Sequence, residues 1–137
     1  MTRVHGPFVI VHNIGHARDC VAMTQKLGRP VTLISPPGAV ASMGPDVFLE
    51  IIAQACDDAP QEAITAVMDC GNDPGQALAA LRAGCNAIRL DADAGVLSKL
   101  RDMAGSKDAV LDGTPLALFD MAEPTATPDA LQRWLTR

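Results

Sequence analysis

A small set of side chains in this sequence could do chemistry together: His12, His16, Asp69, Cys70, Arg89 and Asp91. His12, Asp69 and Asp91 each close a short apolar run, so in a parallel sheet they would stand at strand ends. Imidazole and carboxylate groups placed there can exchange protons with a bound carbonyl compound, which makes these three the candidate catalytic residues. Arg89 would clamp an anion beside them. Asn13, Ser35, Gly38, Gly44 and Asp73 join Arg89 as candidate ligand-binding positions. They lie at strand ends or in the turns that follow, where backbone amides and small polar groups meet a phosphate or carboxylate.

Each group has a plainer role. His12 and His16 could join Asp69 or Asp91 around zinc or iron, but the turn Asn13-Ile14-Gly15 removes the fixed helical spacing that would be diagnostic. No metal or cofactor is assigned. Cys70 could be a nucleophile if a following helix N-terminus lowered its thiol pKa, or simply a buried inert thiol. The stretch Gly38 to Gly44 lacks Gly-Lys-Ser/Thr, and no Gly-x-Gly-x-x-Gly follows a strand, so nucleotide binding is not signalled. Asp69, Arg89 and Asp91 could equally form a salt-bridge network that fixes strand register.

The elements that would position these residues recur along the chain. Apolar runs at Phe8 to His12, Val31 to Ser35, Ile64 to Asp69 and Ala87 to Asp91 alternate with amphipathic stretches at about His16 to Leu27, from Pro45 past Ala55, after Asp73, and from Gly95 to Ala104. Asp73-Pro74-Gly75-Gln76 reads as an N-cap, a first-turn proline and a capping-box glutamine. Ala109 to Asp112 and Leu116 to Asp120 are both strand-like, with Gly113-Thr114-Pro115 between them, and the pattern leaves open whether both pair. A short linker precedes a last helix, spanning 127–137 and capped by Thr127. The expectation is one α/β domain over residues 1–137, with about five parallel strands.

Alternation along the strands sorts their side chains. Thr65, Val67, Asp69, Arg89 and Asp91 fall on one face, while Ile64, Ala66, Met68, Ile88 and Leu90 make the other wholly apolar and fit for helices. A central strand covered on both faces would be almost all apolar, so Arg89 favours a part-barrel, half of a TIM-barrel-like sheet, with helices on one side. A flavodoxin-like open sheet is the alternative. Five strands cannot close a barrel. The uncovered face would be narrow, capped by the C-terminal segment, or buried against a second copy, and a C2 homodimer is the simplest form of the last.

The stretch from Met68-Asp69-Cys70-Gly71 through the Ala-rich helix ending Ala83-Gly84 to Ile88-Arg89-Leu90-Asp91 resembles the strand–helix–strand unit of aldolase-type β/α barrels. The resemblance implies a barrel-type fold, in which such a strand end delivers a catalytic or phosphate-contacting residue. Class II aldolases carry a metal-binding His at the corresponding place, whereas this chain has Cys70.

The bulk numbers narrow the function classes. At 137 residues, 48% hydrophobic and 20% charged, the chain can bury a core without staples. A net charge of -5 with no basic cluster argues against nucleic acid or an acidic membrane as partner. No apolar run is long enough for a signal peptide or a span, and four unpaired-looking cysteines suit a reducing compartment, so a cytoplasmic setting is expected. The function expected from these features is binding of a small anionic or carbonyl ligand, or self-association, around a polar pocket at the strand ends. The alternative is a lyase or isomerase acting on a phosphorylated or carboxylated substrate.

Overall fold

The four sequence-predicted strands and both strand-like C-terminal segments pair in one six-stranded parallel sheet, with order β5-β4-β3-β2-β1-β6. A computed structural model of the chain describes residues 4, 6–57, 64–106 and 109–137. The strands are β1 (Phe8–Ile10), β2 (Val31–Ile34), β3 (Ile64–Asp69), β4 (Ile88–Arg89), β5 (Val110–Leu111) and β6 (Leu118–Asp120). The helices are α1 (Ile14–Leu27), α2 (Pro45–Ala55), α3 (Pro74–Arg82), α4 (Ala94–Ala104) and α5 (Pro128–Leu135). Polar caps start four of the five helices: Asn13, Asp73, Asp93 and Thr127 each accept a backbone N–H of the first turn. The fifth, α2, starts instead from Gly44, with Pro45 in its first turn.

From β1 to β5 the chain always advances in the same direction across the sheet, so right-handed crossovers put α1 to α4 on one face. That outer face carries Val9, Leu33, Met68, Ile88 and Val110, packed with Ala17, Cys20, Phe48, Ala77 and Leu97 of the helices. The other face holds a second apolar cluster of Ile10, Ile34, Val67 and Ala87, with Val4, Leu111, Leu116 and Leu118 against it. The register aligns Asp69 with Arg89 and Ile10 with Asp120, so the polar row continues this inner face toward the strand C-termini. This is the part-barrel arrangement rather than the flavodoxin-like one.

The return from β5 to β6 requires curvature. Residues 112–117 must carry the chain from one sheet edge to the other and back from the C-terminal rim to a strand start. Fully extended, the seven steps from Leu111 to Leu118 reach roughly 24 Å. Across a flat six-stranded sheet the edges alone would be about 24 Å apart. The sheet therefore curls, and the segment crosses its concave side. There Leu116 joins the inner cluster, and the Arg89 guanidinium donates to the Asp112 and Thr114 carbonyl oxygens. The face that the sequence alone left to a C-terminal cap or a second copy is filled by the chain itself. At the β5 edge, Arg101 from α4 donates through Nε and Nη2 to the Val110 carbonyl, covering a ladder group with a charged side chain.

Candidate functional site

At the C-terminal end of β3, the Asp69 carboxylate is buried and closely bound. Its Oδ1 accepts the Gly38 and Gly71 backbone N–H groups, each at 2.9 Å. Gly38 can present its amide because it adopts a left-handed φ of 66°, which only glycine takes readily. Ser35 Oγ accepts the Asp69 backbone N–H at 2.8 Å, locking the same strand end to β2. Asp69 Oδ2 lies 3.7 Å from Arg89 Nη1, a loose ion pair. Arg89 is held more firmly by neutral oxygens, with Nη2 3.0 Å from the Thr114 carbonyl and Nε 3.4 Å from that of Asp112.

Asp91 differs from Asp69 in almost every respect. Its backbone N–H donates to the Gly71 carbonyl at 2.8 Å, which turns the chain out of the sheet. Its carboxylate is solvent-facing and lies directly on the Cα of Gly113: a Cβ at that position would sit 2.7 Å from Asp91 Oδ1. Together Asp69, Gly71, Asn72, Arg89, Asp91 and Gly113 line a cleft of about 360 Å³ at the strand C-termini. Across the cleft, Asp112 accepts the Thr114 N–H at 2.9 Å in an Asx turn. The hydrogen bonds from Thr114 hold the Asp112 carboxyl below its ordinary range, helped by the charges of Arg101 and Arg89.

His12 belongs to a separate group over β1 and β6. Its Nε2 lies 2.7 Å from Asp120 Oδ1, which also accepts the Ala122 N–H at 2.9 Å. Burial pushes the Asp120 carboxyl up, but the Ala122 N–H and the His12 contacts outweigh it and leave the group lowered. The His12 backbone N–H donates to His16 Nδ1 at 3.1 Å, and the two rings meet edge to face, 5.6 Å apart. Among the described residues no group of three or more His, Cys, Asp or Glu is arranged to hold a metal ion.

The structure thus brings Asp69, Arg89 and Asp91 to one cleft and leaves His12 outside its lining. Asn13 is the α1 cap, Asp73 the α3 cap and Gly44 the residue preceding α2. Ser35 and Gly38 act on Asp69 rather than lining the cleft. For Cys70 the electrostatics run opposite to activation by a helix N-terminus. The thiol is 1% exposed, donates to the Met68 carbonyl, and is pushed up to about 12 by burial, with Cys85, Asp69 and Asp73 adding to the effect. Sequence reasoning missed Gly113 and Asp120. Asp120 carried the available signal, since it ends an apolar run as Asp69 and Asp91 do.

No family model matches the chain, and no curated protein matches it. Among solved structures, the chain is similar to a "putative fructose-1,6-biphosphate aldolase" from Coccidioides immitis, at 18% identity and a TM-score of 0.56. The match covers 77% of this chain and 39% of that one, so the chain spans about two fifths of the length of the structure it matches. At this identity the likeness shows the fold alone. It agrees with the barrel-type resemblance of the segment from Met68 to Asp91 and with the one-sided helix layer.

Proposed function

We propose that the chain is a non-catalytic binding protein for a small anionic or carbonyl ligand, taken into the cleft between Asp69, Arg89 and Asp91. The observation that supports this reading is that two of the three candidate proton-transfer groups, Asp69 and His12, are already engaged by the fold, leaving only Asp91 free. Asp69 Oδ1 holds two backbone amides, and His12 is bound to Asp120. A general base needs a free lone pair within reach of a substrate proton. The cleft still offers Arg89 and Asn72, which suffices for recognition. Four free cysteines suit a reducing, cytoplasmic setting. A homodimer is the assembly proposed from the sequence; light scattering across a concentration range would decide it.

The test is thermal denaturation with phosphorylated sugars, carboxylates, nucleotides and divalent cations. A ligand at about 100 times its Kd adds about 2.7 kcal/mol to stability, a clear rise in Tm. A flat response across the whole set would end the binding reading.

A second reading, a lyase or isomerase acting on a phosphorylated or carboxylated substrate, is favoured by one feature. Asp69, Arg89 and Asp91 sit at the strand C-termini, where barrel enzymes keep their sites. Consumption of such a substrate, followed by NMR and abolished by Asp91→Asn, would replace the first reading with this one.

A further inference from the structure

We infer that the cleft takes a small zwitterion, its carboxylate held by Arg89 and its ammonium group by Asp91. This rests on the ligand-binding reading above and narrows the ligand class. Three charged groups line the cleft, and only two of them are in contact. Asp69 is already engaged, by two amides on Oδ1 and by Arg89 facing Oδ2 in a loose ion pair. Arg89 directs N–H groups at Asp69, Asp112 and Thr114, which leaves about two of the five donors of a guanidinium for a ligand. Its side chain is 15% exposed, so those donors are reached from the cleft and not from bulk water on all sides.

Asp91 supplies the opposite charge. Among the described residues its carboxylate has no hydrogen-bond or ion-pair partner, although Arg89 lines the same cleft two residues earlier in the chain. Two opposite charges that line one cleft with no direct bridge leave room for a molecule carrying both complements. With Asp69 and Asp91 beside a single Arg89 the cleft is net negative, so an anionic ligand is held better when it also carries a positive group. Asn72, whose amide is both donor and acceptor, can serve either end of a zwitterion. Gly113 fixes the Asp91 end: with no Cβ, it lets the carboxylate rest against its Cα.

The experiment compares glycine and β-alanine with propionate and propylamine, using the full chain, by thermal shift and titration calorimetry. The zwitterions should raise Tm more than either single-charge analogue. In Asp91→Asn their affinity should fall to that of propionate, a loss of about fivefold, the upper end for a solvent-facing ion pair. Propionate matching β-alanine in the unsubstituted chain, or Asp91→Asn leaving β-alanine binding unchanged, overturns the zwitterion and spares the binding reading. If glycine and β-alanine are inert while a phosphorylated sugar or carboxylate binds, the inference fails in the same way. No response to any of these compounds removes both. Circular dichroism of Asp91→Asn, whose side chain is solvent-facing, verifies that the comparison is made on folded protein.

Discussion

Asp69 and Asp91 are the same residue type on the same face of neighbouring strand ends, yet the fold gives them opposite duties. Asp69 is 6% exposed and accepts two backbone amides, so Asp69→Asn removes a charge that Arg89 faces and puts an NH2 group where an acceptor is needed. Breaking a buried pair of this kind costs about 3 kcal/mol. Urea unfolding should show a loss of that size, whereas Asp91→Asn should stay within about 0.5 kcal/mol of the parent; equal effects would contradict the assignment. The thiols offer a second measurement. Burial raises Cys20 and Cys70 to about 12 and Cys85 to about 11, each from an ordinary value of 9.0, and raises Cys56 as well. A disulfide reagent at pH 8 should therefore react slowly with folded protein and fast in denaturant. The pH dependence has a definite sign. Below 9.0 the thiols are neutral in both states; above it the unfolded chain ionises first, so stability falls as pH rises from about 9 toward about 12. A stability curve flat to pH 11 would disagree.

At the scale of elements, local chemistry was legible in the sequence and long-range pairing was not. Asp73-Pro74-Gly75-Gln76 announced α3, and Asp73 Oδ1 does accept the Gly75 and Gln76 N–H groups, at 3.0 and 3.2 Å. Asp73→Ala should cost about 1 kcal/mol, read from the denaturation midpoint, with helix content nearly unchanged. No change in the midpoint would mean that the cap is replaced by water. The apolar runs also marked the strands, but β4 is only Ile88–Arg89 where Ala87 to Asp91 was expected. Its ladder ends because the Asp91 N–H leaves the sheet for the Gly71 carbonyl. That exit places the carboxylate on the cleft. Asn13 has a structural role that the strand-end pattern did not announce: α1 begins at Ile14, and Asn13 Oδ1 accepts the His16 N–H. The pairing of β6 with β1 had no local signal, since it depends on how far four preceding crossovers curl the sheet.

For the whole molecule, the central fact is that a part-barrel has an inner face and this chain covers it itself, with Leu116 of the segment 112–117 and with Val4. Alternation in β3 and β4 predicted which side chains would face inward, and the two apolar clusters follow that division. The cover could not be foreseen, because Gly113-Thr114-Pro115 reads as an ordinary turn until the two edge strands are known to lie on opposite sides of the sheet. Leu116 is the apolar anchor of the cover, set against Ile10, Ile34, Val67 and Ala87. Leu116→Ser would remove a half-buried side chain and wet that cluster, a loss of about 2 kcal/mol, at the low end for a large-to-small change. It should also raise binding of a hydrophobic dye and promote association, because an uncovered apolar face seeks another. Arg89 would keep its contacts to the Asp112 and Thr114 carbonyls, so the cleft should still accept its ligand in the variant. Unchanged stability and dye binding in Leu116→Ser would mean that the inner face is covered by something other than this segment and that the segment does not cross a concave side.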